Sequence, residues 1–197
     1  MNTIIAKYVP ENAIELVAGL LKQYPCTLKI VNGRKTKHGD FRQLPSGKYQ
    51  ITINNDLNQY RFLLTLVHEL AHLVTHKHKG KVKPHGVEWR QHFQHLMLPC
   101  VNPRIYPKEV LPFLAHYLIK PKASTDADVN LSLVLKQYDE RNGKSFIFEV
   151  PLESKFVYNK RVFLKGAKRR TRYGCVEVST GKTYLFHQNA EVDLVKN

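Results

Sequence analysis

Residues 57–76, LNQYRFLLTLVHELAHLVTH, place apolar side chains on almost every face of a helix. Phe62, Leu63, Leu64, Leu66, Val67, Leu70, Ala71, Leu73 and Val74 leave no broad polar stripe. A helix of this kind belongs at the centre of a core. Asn55 or Asp56, just upstream, offers an N-cap. Inside the apolar run stand His68, Glu69 and His72, which together spell HExxH. Positions i and i+4 lie on one helical face a turn apart, so both imidazoles can reach one metal ion. Glu69, one place beyond the first ligand, can take a proton from water without being a ligand itself. Without an ion, two histidines and a glutamate on a buried helix would each need a buried partner.

A catalytic zinc site needs a third protein ligand and an open position. The downstream candidates are His76, His78, His85, His92, His95 and Glu88. His76 lies a turn past His72 and would point beyond the ion. His78 has the right interval for a six-residue spacing, but Thr75 stands where a chain-turning glycine would be needed. His85 has the best local setting, because Gly80 and Pro84 reverse the chain and Gly86 frees the backbone beside it. VEWRQHFQHLML (87–98) then starts a second amphipathic helix able to lie against the first, with Trp89 packing on the active-site helix.

Upstream, residues 10–24 read as an amphipathic helix ended by Pro25, and 26–32 and 47–54 alternate as strands, with a short strand between them at 40–44. Residues 108–120 form a last helix with Pro112 near its start. The segment 121–130, PKASTDADVN, reads as a linker. Beyond it, LSLVLKQYDE and the segments that follow alternate with period two, which gives five or six short strands in a small antiparallel barrel or curled sheet. The expected organisation is therefore α+β over 1–120, a linker at 121–130 and a basic all-β module over 131–197.

The 197 residues carry 31 Lys and Arg against 16 Asp and Glu, a net charge of +15. Residues 1–120 hold +10 of this and 131–197 hold +6, so the excess is not a simple tail. Such a balance favours anionic partners. The basic clusters are Arg34, Lys35 and Lys37; Lys79, Lys81 and Lys83, between the second and third candidate ligands; and Lys168, Arg169, Arg170 and Arg172, interleaved with Tyr173. Basic groups neutralise phosphates and aromatics offer stacking surfaces for unpaired bases, so single-stranded or junction DNA, bound without sequence preference, is the expected partner. Three scattered cysteines, Cys26, Cys100 and Cys175, exclude a disulfide scaffold and a four-cysteine metal site. No apolar run approaches a membrane span and the amino terminus lacks a signal-peptide pattern, so a cytoplasmic protein, free or associated with the nucleoid, is expected; its oligomeric state stays open, with a monomer as the default.

HELAH, a twelve-residue loop and then HGVEWR (85–90) resemble the SprT-like zinc metalloproteases, the family that includes Spartan-type DNA–protein crosslink proteases. The resemblance covers about residues 8–120. It implies a zincin-like domain in which His68, His72 and His85 bind one zinc ion, Glu69 is the catalytic base, and proteins on or near DNA are the substrates. Many members follow the protease part with a cysteine zinc ribbon. Here residues 131–197 contain only Cys175, so the expected module is metal-free. The competing expectations are a nucleic-acid-binding module with a structural or inactive metal site, and a general cytoplasmic peptidase whose charge serves solubility.

Overall fold

The computed structural model describes residues 2–34, 36–79, 82–124, 127–139 and 143–195. The chain forms two compact units, Met1–Asp139 and Glu140–Asn197, each with its own apolar core. Among the described residues, no helix is long and apolar enough to cross a membrane.

In the first unit, α1 (Asn2–Ile5) and a 3-10 turn at Glu11–Ala13 lead into α2 (Ile14–Gln23). Strands β1 (Thr27–Val31), β2 (Gly39–Gln43) and β3 (Tyr49–Asn54) form a mixed sheet in the order β1-β3-β2, with β1 parallel and β2 antiparallel to β3. Ile51 and Ile53 on β3 are fully buried in the core. The alternate residues Gln50, Thr52 and Asn54 are polar and also buried. Arg34 makes this possible: its guanidinium donates to Asn54 Oδ1 at 2.8 Å and Thr52 Oγ1 at 3.1 Å, while Arg42 donates to Gln50 Oε1 at 2.6 Å. Buried polar groups are tolerated when they are paired in this way.

The helix α3 (Gln59–Lys79) is the buried axis of this unit, as its all-round apolar pattern requires. Its cap is Asn58 rather than Asn55 or Asp56. Asn58 Oδ1 accepts from the backbone N–H groups of Tyr60 and Arg61 at 3.1 and 3.0 Å. The same side chain donates to Leu135 O at 2.9 Å and Asp139 Oδ1 at 2.5 Å, contacts from residues far along the chain. Helix α4 (Val87–Met97) packs along α3 through Trp89, Phe93, Leu96 and Met97. Helix α5 (Leu111–Ile119) follows, with Pro112 in its first turn.

Residues 131–136, the start of the expected first strand of the second module, form helix α6 (Val129–Lys136) together with the last two residues of the expected linker. Leu131, Val134 and Leu135 are buried in the core of the first unit, and their i, i+3, i+4 spacing is helical. Asp128 caps the helix by accepting from Leu131 N at 3.1 Å. The alternation of LSLVL also fits a strand, and the cap together with the apolar pocket beside α3 decides for the helix. Arg61 Nη2, buried on α3, donates to Ser132 O at 3.2 Å. The division between the compact units thus falls at Asp139/Glu140, and 121–130 lies within the first.

The second unit is a six-stranded antiparallel sheet in the order β4-β9-β5-β6-β7-β8. The strands are β4 (Ser145–Phe146), β5 (Lys155–Tyr158), β6 (Arg161–Arg169), β7 (Arg172–Glu177), β8 (Thr183–His187) and β9 (Glu191–Leu194). Phe156, Phe163 and Phe186 meet at the centre of its core with Ile147, Val150, Cys175 and Val192. Asn159 and Lys160, with φ of +50° and +63°, make the tight β5–β6 turn. Arg161 Nε donates to the buried Glu177 carboxylate at 2.5 Å, which holds that carboxyl well below its ordinary range.

Candidate metal centre

Helix α3 brings His68 and His72 onto one face, and the chain then returns through a turn at 83–86 that presents His85. The three Nε2 atoms form a small triangle, with His68–His72 at 3.3 Å, His72–His85 at 3.0 Å and His68–His85 at 3.2 Å. A tetrahedral zinc ion with Zn–N bonds of about 2.0–2.1 Å separates its nitrogen ligands by about 3.3–3.4 Å. The donor set, its geometry and the convergence of one nitrogen from each ring all fit zinc. Among the described residues, these three are the one group of potential ligands that converges this closely.

Burial keeps these rings neutral. The His68 pKa is pushed down to about 3, first by burial and then by the neighbouring His72 and His85. That of His72 falls to about 4, chiefly through burial, and that of His85 is lowered by the same cause. The neutral imidazole is the form that binds metal.

The turn carrying His85 is built from Lys83, Pro84, His85 and Gly86. Gly86 N–H donates to Lys83 O at 3.0 Å, and His85 has φ of +57°. Pro at the second position and positive φ at the third is the pattern of a type II turn. The unusual backbone is therefore at the histidine itself. Gly86 is needed for space, since a Cβ there would lie 2.9 Å from Lys83 O. The rival ligands go elsewhere. Because α3 runs on without a break to Lys79, His78 is carried round the helix away from the pair, and its ring lies 5.8 Å from that of His92. His92 Nδ1 is 2.9 Å from Thr75 Oγ1. His76 packs against Phe41 and Tyr49, with Nε2 at 3.1 Å from Gln43 Oε1. His95 and Glu88 lie outside the triangle.

Glu69 is buried, and its pKa is raised to about 8, first by desolvation and then by the Asp40 carboxylate; Lys37, the backbone N–H of Phe41 and Arg34 act in the opposite direction. The Phe41 N–H comes from β2, whose residues cross the helix beside Glu69. Gly39 on that strand sits so close that a Cβ would lie 2.7 Å from Glu69 Oε1 and 2.8 Å from Thr65 Cγ2. Sequence reasoning missed Gly39 and the Phe41 amide, because nothing in the local pattern of HGDFRQ refers to a helix 30 residues away. Trp89, expected to pack on the active-site helix, touches all three histidine rings, including that of His85. Tyr106, a buried aromatic near the site in sequence, donates its hydroxyl to Tyr60 O at 3.1 Å, at the opposite end of α3.

The basic residues divide. Arg34 is bonded into the sheet, and Lys37 pairs with Asp40 at 2.7 Å. Lys83 is exposed. Lys35, Lys81 and the side chain of Lys79 lie outside the described residues. In the second unit Lys168, Arg169, Arg170 and Arg172 are exposed and crowd the tip of the β6–β7 hairpin, and Arg170 takes a positive φ of 57° there.

Residues 25–106 match the SprT-like family profile. Protein SprT of Cronobacter sakazakii and Protein SprT of Enterobacter sp. (strain 638) are each 50% identical over 46 residues, which is 21% of this chain and 28% of the relative. Protein SprT of Yersinia enterocolitica is 42% identical over 53 residues, 25% of this chain and 31% of the relative. The aligned segments thus span less than a third of these relatives. No solved structure matches the chain. The matched residues 25–106, which contain the whole histidine triangle and Glu69, are similar to the SprT-like family.

Proposed function

We propose that this protein is a zinc-dependent endopeptidase of zincin-like build that cleaves proteins held on or near DNA. One observation carries the reading: three neutral imidazoles converge on a point with separations of 3.0–3.3 Å, and the next residue on the same helix is a buried carboxyl. His68, His72 and His85 would hold the ion. Zinc bound there would supply Lewis acidity, lowering the pKa of water and polarising a peptide carbonyl. Glu69 takes a proton on its carboxylate from the attacking water and delivers it to the nitrogen of the leaving amine. A nearby divalent cation favours the ionised carboxylate and offsets the burial that raises its pKa. The Phe41 N–H orients that carboxylate. β2 is an edge strand, and the backbone of Gly39, Phe41 and Gln43 alternates away from β3. A structural zinc site normally has four protein ligands and needs no base, which argues against the binding-module reading.

The DNA element of the proposal rests on the arginine-rich β6–β7 hairpin and the net charge of +15. The test uses zinc-loaded protein and a DNA-binding protein substrate, with and without single-stranded DNA, beside Glu69→Gln. Cleavage that requires both DNA and Glu69 is the expected result. Cleavage that requires Glu69 but ignores DNA leaves a general peptidase. DNA binding by both proteins without cleavage leaves a binding module.

A further inference from the structure

We infer that Trp89 is the positioning residue of the histidine triangle, holding the His85 ring against the pair on α3. The inference rests on the zinc reading above. His68 and His72 are fixed by a buried helix, whereas His85 comes from a turn with left-handed backbone at the ligand itself, a strained conformation for a non-glycine residue. A turn of that kind needs a second hold on the ring. Trp89 supplies it from the first turn of α4, four residues later. Its ring centroid lies 4.6 Å from His85 at 76°, 4.6 Å from His68 at 59° and 5.3 Å from His72 at 31°. It is 1% exposed, and Phe93 stacks behind it at 5.0 Å and 9°, with Tyr117 edge-on behind Phe93. The indole thus touches all three ligand rings from a position held by the core, and the His68 ring also lies 5.7 Å from that of Phe93.

The indole N–H contributes nothing visible to this role. Nε1 is buried and has no hydrogen-bond partner among the described residues. An orphaned donor costs stability, so what keeps a tryptophan here is the area and stiffness of its ring. The consequence is specific: phenylalanine, which keeps an aromatic face and removes the orphan, is a conservative replacement, and leucine is not.

The test is the zinc affinity of the full chain, measured by competition with a chelating dye at neutral pH, for wild type, Trp89→Phe, Trp89→Leu and the core truncation Leu114→Ala on α5. Residues that orient metal ligands typically change affinity by about 10–100-fold when replaced. Trp89→Leu is expected to weaken zinc binding by about that factor, with Trp89→Phe and Leu114→Ala close to wild type. Equal affinity in Trp89→Leu overturns the inference, as does an equal loss in Leu114→Ala (general softening) or in Trp89→Phe (a role for the N–H). A second readout needs no variant. Trp89 is the single tryptophan in the chain, so its emission should change on titration with zinc and saturate at one equivalent; an unchanged emission with zinc bound overturns the inference. A wild-type chain that takes up no zinc overturns the metal-site reading itself, and the inference with it.

Discussion

Glu69 and the histidines beside it titrate in opposite senses, which makes the metal-free protein a sensitive probe of the site. The Glu69 pKa is about 8 in the folded chain against an ordinary 4.5. As pH rises from 4.5 to 8 the unfolded chain loses this proton first, so folding becomes less favourable over that window. Glu69→Gln removes the effect. In zinc-free protein its stability relative to wild type should therefore rise between pH 4.5 and 8, by about 1.4 kcal/mol per pH unit at most, as read by urea unfolding. No pH-dependent difference would mean that Glu69 is not desolvated. His68 and His72 behave in reverse, with folded pKa values of about 3 and 4 against 6.5. Below pH 6.5 the unfolded chain takes up protons that the folded one refuses. Zinc-free Glu69→Gln should accordingly lose stability as pH falls from 6.5 towards 4, read by urea unfolding at a series of pH values. The convergence of His68 and His72 was legible in the sequence because a helix converts the interval of four directly into a shared face. Their pKa values were not, since those depend on how deeply α3 is covered.

Two elements owe their placement to single residues that a local reading passes over. β2 runs beside Glu69 because Gly39 has no Cβ. Gly39→Ala would put a methyl group 2.7 Å from Glu69 Oε1, so strand or carboxylate must move. A displacement of about 1 Å at a reacting group can cost about 100-fold in rate. Cleavage by Gly39→Ala should fall by one to two orders of magnitude while zinc stoichiometry stays at wild type; loss of zinc instead would show that the strand supports the triangle and not the base. Asn58 has a similar reach. It caps α3 and donates to Leu135 O and to Asp139, joining α3 to α6. Asn58→Ala should destabilise the protein by about 1–2 kcal/mol through the cap alone, visible as a lower melting temperature. A change no larger than that of an exposed loop substitution would leave Asn58 neither a cap nor a tie. The period of apolar residues located α2, β1, β3, α3 and α4 within a few residues. It failed at 129–136, where LSLVL fits either period; Asp128 three residues before Leu131 was the cap signal that favours the helix.

On the scale of the whole molecule, the excess positive charge is spread over both units, and its densest exposed stretch among the described residues is the tip of the β6–β7 hairpin. If that tip meets DNA, replacing Lys168, Arg169, Arg170 and Arg172 by alanine should weaken binding across sequences alike. It should also flatten the salt dependence, by about 0.7 in log–log slope for each single-strand phosphate no longer neutralised. Unaltered binding and slope would put the DNA elsewhere on the surface. Arg34 shows why charge totals alone mislead: read as a phosphate ligand, it holds the sheet's polar face together. What the amino-acid order determined by itself was periodic and short-range: the buried helix, the histidine pair on it, the carboxyl next to them, the reversal at Pro84 that returns His85, and the strand-rich second unit. Tertiary structure alone decided which cations are spent inside the fold, that α6 closes the first core, that Gly39 and the Phe41 amide fit against Glu69, and that Trp89 faces all three histidines. Those contacts join residues tens of positions apart, and no local pattern encodes a distance that exists only after the core has packed.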